Sequence, residues 1–306
     1  MLYRYRATER PYSFPQHGYA GAAILLAAEA LLFARVEPVS TYFTAIAWTG
    51  YILWADAAVY SIRGRSLLKT CRLEFVWMAL CSIPLWLIFE AYNLRLANWV
   101  YVGLPENWLA RNVGYAWAFA TIWPAIFETA TFLRALTPRN SHAATGHVRN
   151  APPPTQAAAS TVALAGAFLL IAPLLAPQRL SSYLFGAVWL GFIFFLEPIN
   201  YWLGGQSLWR DLRQGFPSRL LSLFGSGLIC GIFWEFWNHW ATARWVYTVP
   251  ILPEWKIFAM PVLGYLGFPP FAVECFVLFA FIALLINSIL RKLGWSRNRT
   301  WEALQL

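Results

Sequence analysis

Six acidic residues lie inside apolar stretches of the chain, at positions that correspond between its two halves. They form three pairs: Asp56 with Glu197, Glu90 with Glu235, and Glu128 with Glu274. Acids are rare within membrane helices and normally face a polar or functional interior, because lipid penalises their charge. A carboxyl in a dry site can keep a proton at neutral pH and donate it, and an ionised neighbour can accept one. These residues could therefore perform acid–base catalysis or proton transfer. The structural alternative is that each acid bonds polar groups of neighbouring helices.

The depth of the acids can be estimated from their distance to basic residues. Asp56 precedes Arg63 by seven residues and Glu128 precedes Arg134 by six, so both lie about 10 Å from the same boundary at 1.5 Å per residue. We expect these two acids to be level on neighbouring helices. Glu90 lies 18 residues after Arg72, which is about the length of one membrane span, so it should lie near the opposite boundary.

The composition predicts an all-α integral membrane protein. Hydrophobic residues make up 59% of the chain and charged residues 12%, with a mean hydropathy of +0.50. A soluble domain does not need so much apolar surface. We identify about eight apolar runs long enough to span a bilayer. They cover residues 18–35, 41–61, 76–94, 115–134, 159–177, 183–203, 220–239 and 262–290, and the last is long enough to tilt or break.

Basic residues predict the orientation of these spans. Most of the 23 Lys and Arg residues fall in five segments that eight spans place on one side: 4–10, 63–72, 134–149, 210–219 and 291–299. The positive-inside rule makes that side cytoplasmic, with both termini inside. We expect the plasma membrane, which in bacteria is the inner membrane. The net charge of +9 then meets anionic lipid headgroups, and no nucleic-acid partner is expected.

The two halves of the chain are predicted to be parallel tandem repeats of four spans each. Residues 42–75 align without a gap on 183–216, and IFEAYN at 88–93 matches FWEFWN at 233–238. Both copies then enter the membrane the same way round, and their interface is the natural place for a functional site. The predicted organisation is a cytoplasmic tail at 1–16, repeat 1 at 17–136, a cytoplasmic linker at 137–157, repeat 2 at 158–294 and a cytoplasmic tail at 295–306.

Aromatic residues accompany the acids. Phe, Tyr and Trp make up 18% of the chain, and part of this content is the belt expected at membrane interfaces. Other aromatic residues share spans with the acids or flank them: Trp117, Trp123, Trp234 and Trp237. An aromatic wall beside an acid could hold a conjugated ligand or stabilise a cation by about 1–2 kcal/mol per ring, with simple packing as the alternative. The aromatic outer loops either lie in the interface or dip back over a cavity.

Metal and cofactor chemistry is not expected. Glu235 and His239 have the spacing of a metal-ligand pair on a helix, but the other half has Leu94 in place of the histidine. No phosphate-binding glycine loop, Ser/His/Asp set or dinucleotide fingerprint occurs. The expected partners are membrane lipids and a lipophilic small molecule in the bilayer, and the sequence leaves the oligomeric state open.

Each half carries the same ordered set of residues. The sets are Glu90, Trp99, Tyr101, Gly114, Pro124 and Glu128 in the first half, and Glu235, Trp245, Tyr247, Gly264, Pro270 and Glu274 in the second. This order resembles the membrane-bound lycopene cyclase domain, which occurs as paired subunits or fused halves, and related carotenoid-modifying membrane proteins. The resemblance covers roughly a third of the chain. In place of that family's Pro-x-Glu-Glu, this chain has a single Glu four residues after the Pro.

The resemblance implies cofactor-independent acid catalysis on a long polyene, in which a double bond is protonated, a ring closes through a carbocation and a proton is lost. It implies that Glu128 and Glu274 are the acids and that Glu90 and Glu235 are bases or charge stabilisers. Asp56 and Glu197 remain catalytic candidates by their paired placement. The candidate substrate-binding residues are Trp99, Tyr101, Trp123, Trp234, Trp237, Asn238, Trp245 and Tyr247.

The leading hypothesis is a membrane enzyme, a cyclase or hydratase, that modifies an isoprenoid or carotenoid-like lipid by carboxylic-acid proton transfer. A proton-coupled transporter or lipid-binding membrane protein could use the same paired acids. A non-catalytic accessory subunit, whose aromatic residues pack pigments or partner helices, is the third possibility.

Overall fold

The chain folds as a bundle of α-helices with two small strand pairs. The computed structural model describes residues 12–137, 152–294 and 301–306. The helices are α1 (Gln16–Phe33), α2 (Val39–Arg63), α3 (Leu67–Thr70), α4 (Arg72–Leu96), α5 (Trp108–Ala120), α6 (Ile122–Leu136), α7 (Gln156–Leu175), α8 (Gln178–Ser181), α9 (Phe185–Trp202), α10 (Leu208–Arg213), α11 (Ser218–Trp240) and α12 (Phe268–Lys292). Strands β1 (Trp99–Val102) and β2 (Arg244–Tyr247) pair with each other, as do β3 (Lys256–Ile257) and β4 (Met260–Pro261).

Within the described ranges, four helical segments are long and apolar enough to cross a bilayer: Arg72–Leu96, Gln156–Leu175, Ser218–Trp240 and Val262–Lys292. The surface of α7 is consistent with such a location, because Leu164, Phe168 and Leu175 are each more than two-thirds exposed. Large apolar side chains exposed along one helix are typical of a lipid-facing surface. These features support the predicted class, a helical membrane protein.

Two of the predicted spans are not single α-helices. The predicted span 115–134 divides at Thr121 into α5 and α6. Pro124 explains the break, because it has no N–H to donate to the carbonyl of Ala120, the last residue of α5. The predicted span 262–290 begins as a 3-10 turn and becomes α-helical at Phe268. Its two prolines occupy the first turn of α12, where a missing N–H is tolerated.

Glycines allow two helix pairs to touch along their backbones. A Cβ atom on Gly21 of α1 would lie 2.5 Å from the backbone oxygen of Gly50 on α2. A Cβ atom on Gly166 of α7 would lie 2.8 Å from the backbone oxygen of Gly191 on α9. Small residues permit this close approach, which membrane helices use in place of a hydrophobic driving force. Helices α1 and α2 in the first half, and α7 and α9 in the second, therefore pack through the same kind of glycine contact.

One end of the bundle carries β1 and β2 and is called the strand end. The C-terminal ends of α4 and α7 meet there, since Arg95 donates hydrogen bonds to Gln178 Oε1 (2.6 Å) and to the carbonyl of Ala176 (2.7 Å). The ends of α1 and α11 meet there as well, where Trp237 Nε1 donates to Glu29 (3.0 Å). The helices α1, α4, α7 and α11 therefore all run toward the strand end.

The opposite end is called the tail end, because residues 301–306 pack against it. Buried Glu74, in the first turn of α4, accepts hydrogen bonds from the backbone N–H groups of Glu302 (2.9 Å) and Ala303 (2.6 Å). Arg65 adds an ion pair to Glu302 (2.9 Å). Most of the predicted tail 1–16, most of the predicted linker 137–157 and residues 295–300 of the predicted C-terminal tail lie outside the described residues.

Candidate functional site

Strands β1 and β2 join the two halves of the chain at the strand end. They pair antiparallel, with Trp99 opposite Tyr247 and Tyr101 opposite Trp245. The tryptophan of each strand thus faces the tyrosine of the other, which is the pairing that a local two-fold axis produces.

An asparagine near the end of the preceding helix holds each strand. Asn93 Nδ2 donates to the carbonyl of Trp99 (2.8 Å), and Asn238 Nδ2 donates to the carbonyl of Trp245 (2.8 Å). In return, Asn238 Oδ1 accepts from the Trp245 N–H (2.9 Å). Asn238, a predicted substrate-binding residue, therefore has a structural role in positioning β2.

Glu90, on the last part of α4, receives three hydrogen bonds on a single oxygen. Oε1 accepts from Tyr101 Oη (2.6 Å), Trp86 Nε1 (2.9 Å) and Trp99 Nε1 (3.2 Å). An ionised carboxylate is an acceptor only, and converging N–H and O–H donors suit that form. Trp86 was not predicted as a site residue, although its position four residues before Glu90 on the same helical face is a sequence signal for this contact.

Glu235, the corresponding acid on α11, is held by fewer donors. It is fully buried, and Oε1 accepts from Tyr247 Oη (2.7 Å). Its second oxygen, Oε2, has no hydrogen-bond partner among the described residues. Trp245 Nε1 donates to Tyr247 Oη (2.9 Å) and also lies close enough to the acid to interact with it. Glu90 and Glu235 thus occupy matching positions but differ in the number of donors they receive.

The two tyrosines that bond these acids remain protonated donors. Burial, together with the neighbouring Glu90 carboxyl, raises the pKa of Tyr101 above its usual range. Burial and the Glu235 carboxyl raise the pKa of Tyr247 in the same way. Both hydroxyl groups therefore hold their protons throughout the physiological pH range.

A cavity of about 370 Å³ lies between the two halves at the strand end. Its volume falls in the range of small-molecule sites, and its walls are mostly apolar and rich in aromatic residues. Five of the predicted substrate-binding residues line it: Trp99, Tyr101, Trp234, Trp245 and Tyr247. Glu235 lines it directly, and the Trp86, Trp99 and Tyr101 side chains that bond Glu90 belong to its wall. The cavity can therefore bring an apolar ligand to Glu235 and to the three side chains that donate to Glu90.

Several cavity residues were missed by the sequence analysis. They include Trp48, Trp86, Tyr115, Phe119, Trp189, Phe268 and Phe271, together with Arg111 and Arg244. They come from distant parts of the chain, so only Trp86 carried a local sequence signal. The outer loops contribute β1, β2 and flanking residues to the lining, which agrees with the alternative that these loops cover a cavity.

Two predicted substrate-binding tryptophans do not line the cavity. Trp123 packs edge-on against Phe279, with ring centroids 5.3 Å apart. Trp237 packs edge-on against Trp48 at 4.8 Å and donates its N–H to Glu29. The structure assigns both side chains to packing between helices.

Asp56 lies near the tail end and is fully buried. Its carboxylate accepts hydrogen bonds from Ser66 Oγ (2.8 Å) and from the backbone N–H of Leu68 (2.8 Å). Ser66 is the N-cap of the short helix α3, so Asp56 helps to fix the start of that helix. His17 Nε2 adds a third contact to Asp56 at 2.8 Å.

Glu197 has the equivalent surroundings in the second half. It accepts hydrogen bonds from Ser207 Oγ (2.5 Å) and from the backbone N–H of Trp209 (2.8 Å). Ser207 is the N-cap of α10, as Ser66 is of α3. An acid, a serine and a backbone N–H therefore recur at the same spacing in each half, with Asp in the first and Glu in the second.

Glu128 and Glu274, the acids implied by the family resemblance, do not line the cavity. Glu128 is buried near the carboxyl group of Asp56, as the expectation of equal depth required, and its Oε1 has no partner in the described part of the chain. Glu274 is fully buried, and both of its oxygens lack a described partner. Phe271, about one helical turn before Glu274, belongs to the cavity wall.

The described residues contain no group of three His, Cys, Asp or Glu side chains that could hold a metal ion. His239 packs its ring edge-on against Trp240, with centroids 4.8 Å apart. The cavity presents the Glu235 carboxyl group, tyrosine hydroxyls, aromatic faces and the guanidinium groups of Arg111 and Arg244.

Searches with protein-family models, among curated proteins and among solved structures found no match to this chain.

Proposed function

We propose that this chain is a membrane enzyme that rearranges an isoprenoid or similar unsaturated lipid by proton transfer in the cavity between its halves. The observation that carries the proposal is a pair of unlike acids at one aromatic-rich cavity, with Glu235 in the lining and Glu90 behind it. Glu235 receives one close hydrogen bond and has an oxygen without a described partner, so it is suited to deliver a proton and take one back. Glu90 has three donors on one oxygen, so as a carboxylate it is suited to stabilise positive charge in the cavity from behind the wall.

The proposed reaction needs no cofactor. The Glu235 O–H bond breaks as its proton forms a C–H bond with one carbon of a substrate double bond, which leaves a carbocation on the other carbon. A second double bond of the chain attacks this cation and forms a new C–C bond. The Glu235 carboxylate, which faces the cavity, then removes a proton from a neighbouring carbon, and the electrons of that C–H bond restore a double bond. The product is an isomer of the substrate, and Glu235 is again protonated and exchanges its proton with water after product release.

The cavity walls support such a pathway in two ways. Aromatic faces stabilise a nearby cation by roughly 1–2 kcal/mol per ring in a dry site, and Trp48, Trp86 and Trp234 are available among the lining residues. The apolar walls also keep bulk water from the cation, which favours ring closure over hydration. If one water reached the cation instead, the same site would act as a hydratase.

We also propose the finer architecture of eight spans in two parallel repeats, with the tail end cytoplasmic. Support comes from the repeated glycine contacts of α1 with α2 and of α7 with α9, and from the repeated serine and backbone bonds of Asp56 and Glu197. The reciprocal register of β1 and β2 also supports two related halves. In this arrangement α5 and α6 together form one span.

The test is product analysis in a host membrane that contains linear isoprenoids. Wild-type protein and the Glu235→Gln variant are produced at matched levels, with Glu197→Gln as the control acid that lies outside the cavity. We expect a product of unchanged mass and altered chromatographic retention with wild-type protein and with the control, and none with Glu235→Gln. Absence of any new product from folded wild-type protein would overturn the proposal.

A second candidate, proton-coupled transport, is favoured by acids at both ends of the bundle. Partly exposed His17 contacts buried Asp56 at the tail end, and Glu90 and Glu235 lie at the strand end. Titratable groups at both ends are what a proton path requires. Reconstituted vesicles distinguish the two functions, because a transporter moves an unchanged lipophilic solute in response to a pH gradient, whereas the enzyme changes its substrate without a gradient.

A further inference from the structure

Four side chains that line the cavity keep a polar atom without a hydrogen-bond partner. These atoms are Thr44 Oγ1, Trp48 Nε1, Asn98 Oδ1 and Glu235 Oε2, and no group in the described ranges bonds them. Buried polar atoms are nearly always paired in folded proteins, because each unpaired one costs free energy. Other unpaired atoms, such as both Glu274 oxygens, lie away from the cavity, but these four share one open space in which a bound molecule would supply the missing partners.

The chemistry of the four atoms limits what that molecule can be. Trp48 Nε1 is a donor only, Asn98 Oδ1 is an acceptor only, and the Thr44 hydroxyl and a protonated Glu235 can each do both. Thr44 and Trp48 are four residues apart on α2 and therefore share a helical face. A pure hydrocarbon can bond none of these atoms. A hydroxyl group can accept from the tryptophan and donate to an oxygen in the same set.

We infer that the cavity binds a prenyl-type lipid alcohol, with its hydroxyl group among these four atoms and its apolar chain along the aromatic wall. This inference rests on the proposed function and specifies its substrate class as an oxygenated isoprenoid rather than a hydrocarbon. Arg111 and Arg244, two other lining residues, would suit a phosphate or carboxylate headgroup. An alcohol is favoured because Asn98 Oδ1 needs a donor, which a hydroxyl group supplies and an ionised phosphate or carboxylate does not.

The test is a binding measurement on the full-length protein in detergent or nanodiscs. The probes are geranylgeraniol, a hydrocarbon of matched chain length and geranylgeranyl phosphate, and binding is followed by native mass spectrometry. We expect the alcohol to bind at least about tenfold more tightly than the hydrocarbon, since it satisfies two or more hydrogen bonds of ordinary strength. Equal binding of alcohol and hydrocarbon would overturn the inference, and so would tighter binding of the phosphate.

Two variants connect the preference to the named atoms. Thr44→Val is nearly isosteric and Trp48→Phe keeps an aromatic ring, so each removes one polar group and retains most of the packing. We expect each to weaken alcohol binding about fivefold and to leave hydrocarbon binding unchanged. Trp117→Phe is the matched control, because the Trp117 N–H bonds Thr49 Oγ1 at 3.0 Å outside the cavity lining. An unchanged preference in both variants, with folding confirmed by thermal melting, would contradict the assignment.

These outcomes separate the inference from the proposed function, because binding is measured without turnover. Preferential binding of the alcohol with no chemical change to it would overturn the reaction and leave the ligand class intact. Efficient conversion of a hydrocarbon, with no preference for the alcohol, would support the reaction and overturn the ligand class.

Discussion

The paired acids at the two ends of the bundle are held in different ways. At the tail end, Asp56 and Glu197 each accept from a serine side chain and from a backbone N–H of a short helix. At the strand end, Glu90 and Glu235 each accept from a tyrosine hydroxyl on a strand that lines the cavity. Each pair has one acid in each half, and the spacing from the acid to its donors along the chain is similar in the two halves.

The difference shows that equal placement in a repeat does not imply equal roles. The hydrogen bonds of the tail-end pair are accounted for by folding, since these acids fix the starts of α3 and α10. Helix capping does not account for the strand-end pair, whose donors are side chains around an open space. The source of the donors, local backbone or cavity wall, therefore separates the structural acids from the candidate catalytic ones.

The largest expected effect is on turnover in Glu235→Gln. The amide cannot deliver a proton, and general acid catalysis typically contributes about 10²- to 10⁴-fold to rate. We expect turnover to fall by at least about a hundredfold, with a thermal midpoint close to that of wild type, in a quantitative product assay. An equal loss of turnover in Glu197→Gln would contradict the distinction between the tail-end and strand-end acids.

The next largest effect is on stability in Asp56→Ala. This change leaves the Ser66 hydroxyl and the Leu68 N–H without their acceptor, and each buried unpaired group costs about 1–3 kcal/mol. We expect a loss of about 3 kcal/mol in detergent unfolding, with turnover per folded molecule within about threefold of wild type. Glu254→Ala, in an exposed loop, is the control and should change neither quantity.

A smaller effect should distinguish the two strand-end acids from each other. Tyr247→Phe removes the hydrogen bond that Glu235 receives at 2.7 Å, whereas Tyr101→Phe leaves Glu90 with two described donors. We expect turnover to fall about tenfold in Tyr247→Phe, equivalent to one hydrogen bond to an acid, and about threefold in Tyr101→Phe. The reverse order of sensitivity would contradict the assignment of Glu235 as proton donor.

The smallest effect is a change in stability at alkaline pH. The pKa values of Tyr101 and Tyr247 are raised in the folded chain, whereas both tyrosines titrate near pH 10 when unfolded. Their contribution to stability is therefore complete below about pH 10 and is lost as pH rises above that value, by up to about 1.4 kcal/mol per pH unit for each group. We expect the thermal midpoint to fall less steeply from pH 9 to 11 in the double phenylalanine variant. Identical slopes would show that neither hydroxyl is buried as described.

Much of the helical organisation could be predicted from the sequence. Apolar runs located the long helices, and the rise per residue correctly indicated that Asp56 and Glu128 share a depth. The break between α5 and α6 was missed, although Pro124 is a local signal for it. The bond from Trp86 to Glu90 also follows from helical spacing and could have been found.

The site itself depended on contacts that no local pattern encodes. The pairing of β1 with β2 joins segments from the two halves, and its register determines which tyrosine reaches which acid. The family resemblance implied Glu128 and Glu274 as acids, whereas the cavity contacts Glu235 and the donors of Glu90. Unpaired atoms such as Trp48 Nε1 are visible only after every neighbouring group has been placed.

The most direct test of proton transfer in the cavity is isotope incorporation in D₂O. Purified protein is incubated with an accepted lipid substrate in deuterated buffer, and the product is analysed by mass spectrometry and NMR. We expect one deuteron at a single carbon of the product, delivered by Glu235, and no labelled product from Glu235→Gln. An unlabelled product, or labelling that persists in Glu235→Gln, would contradict the account.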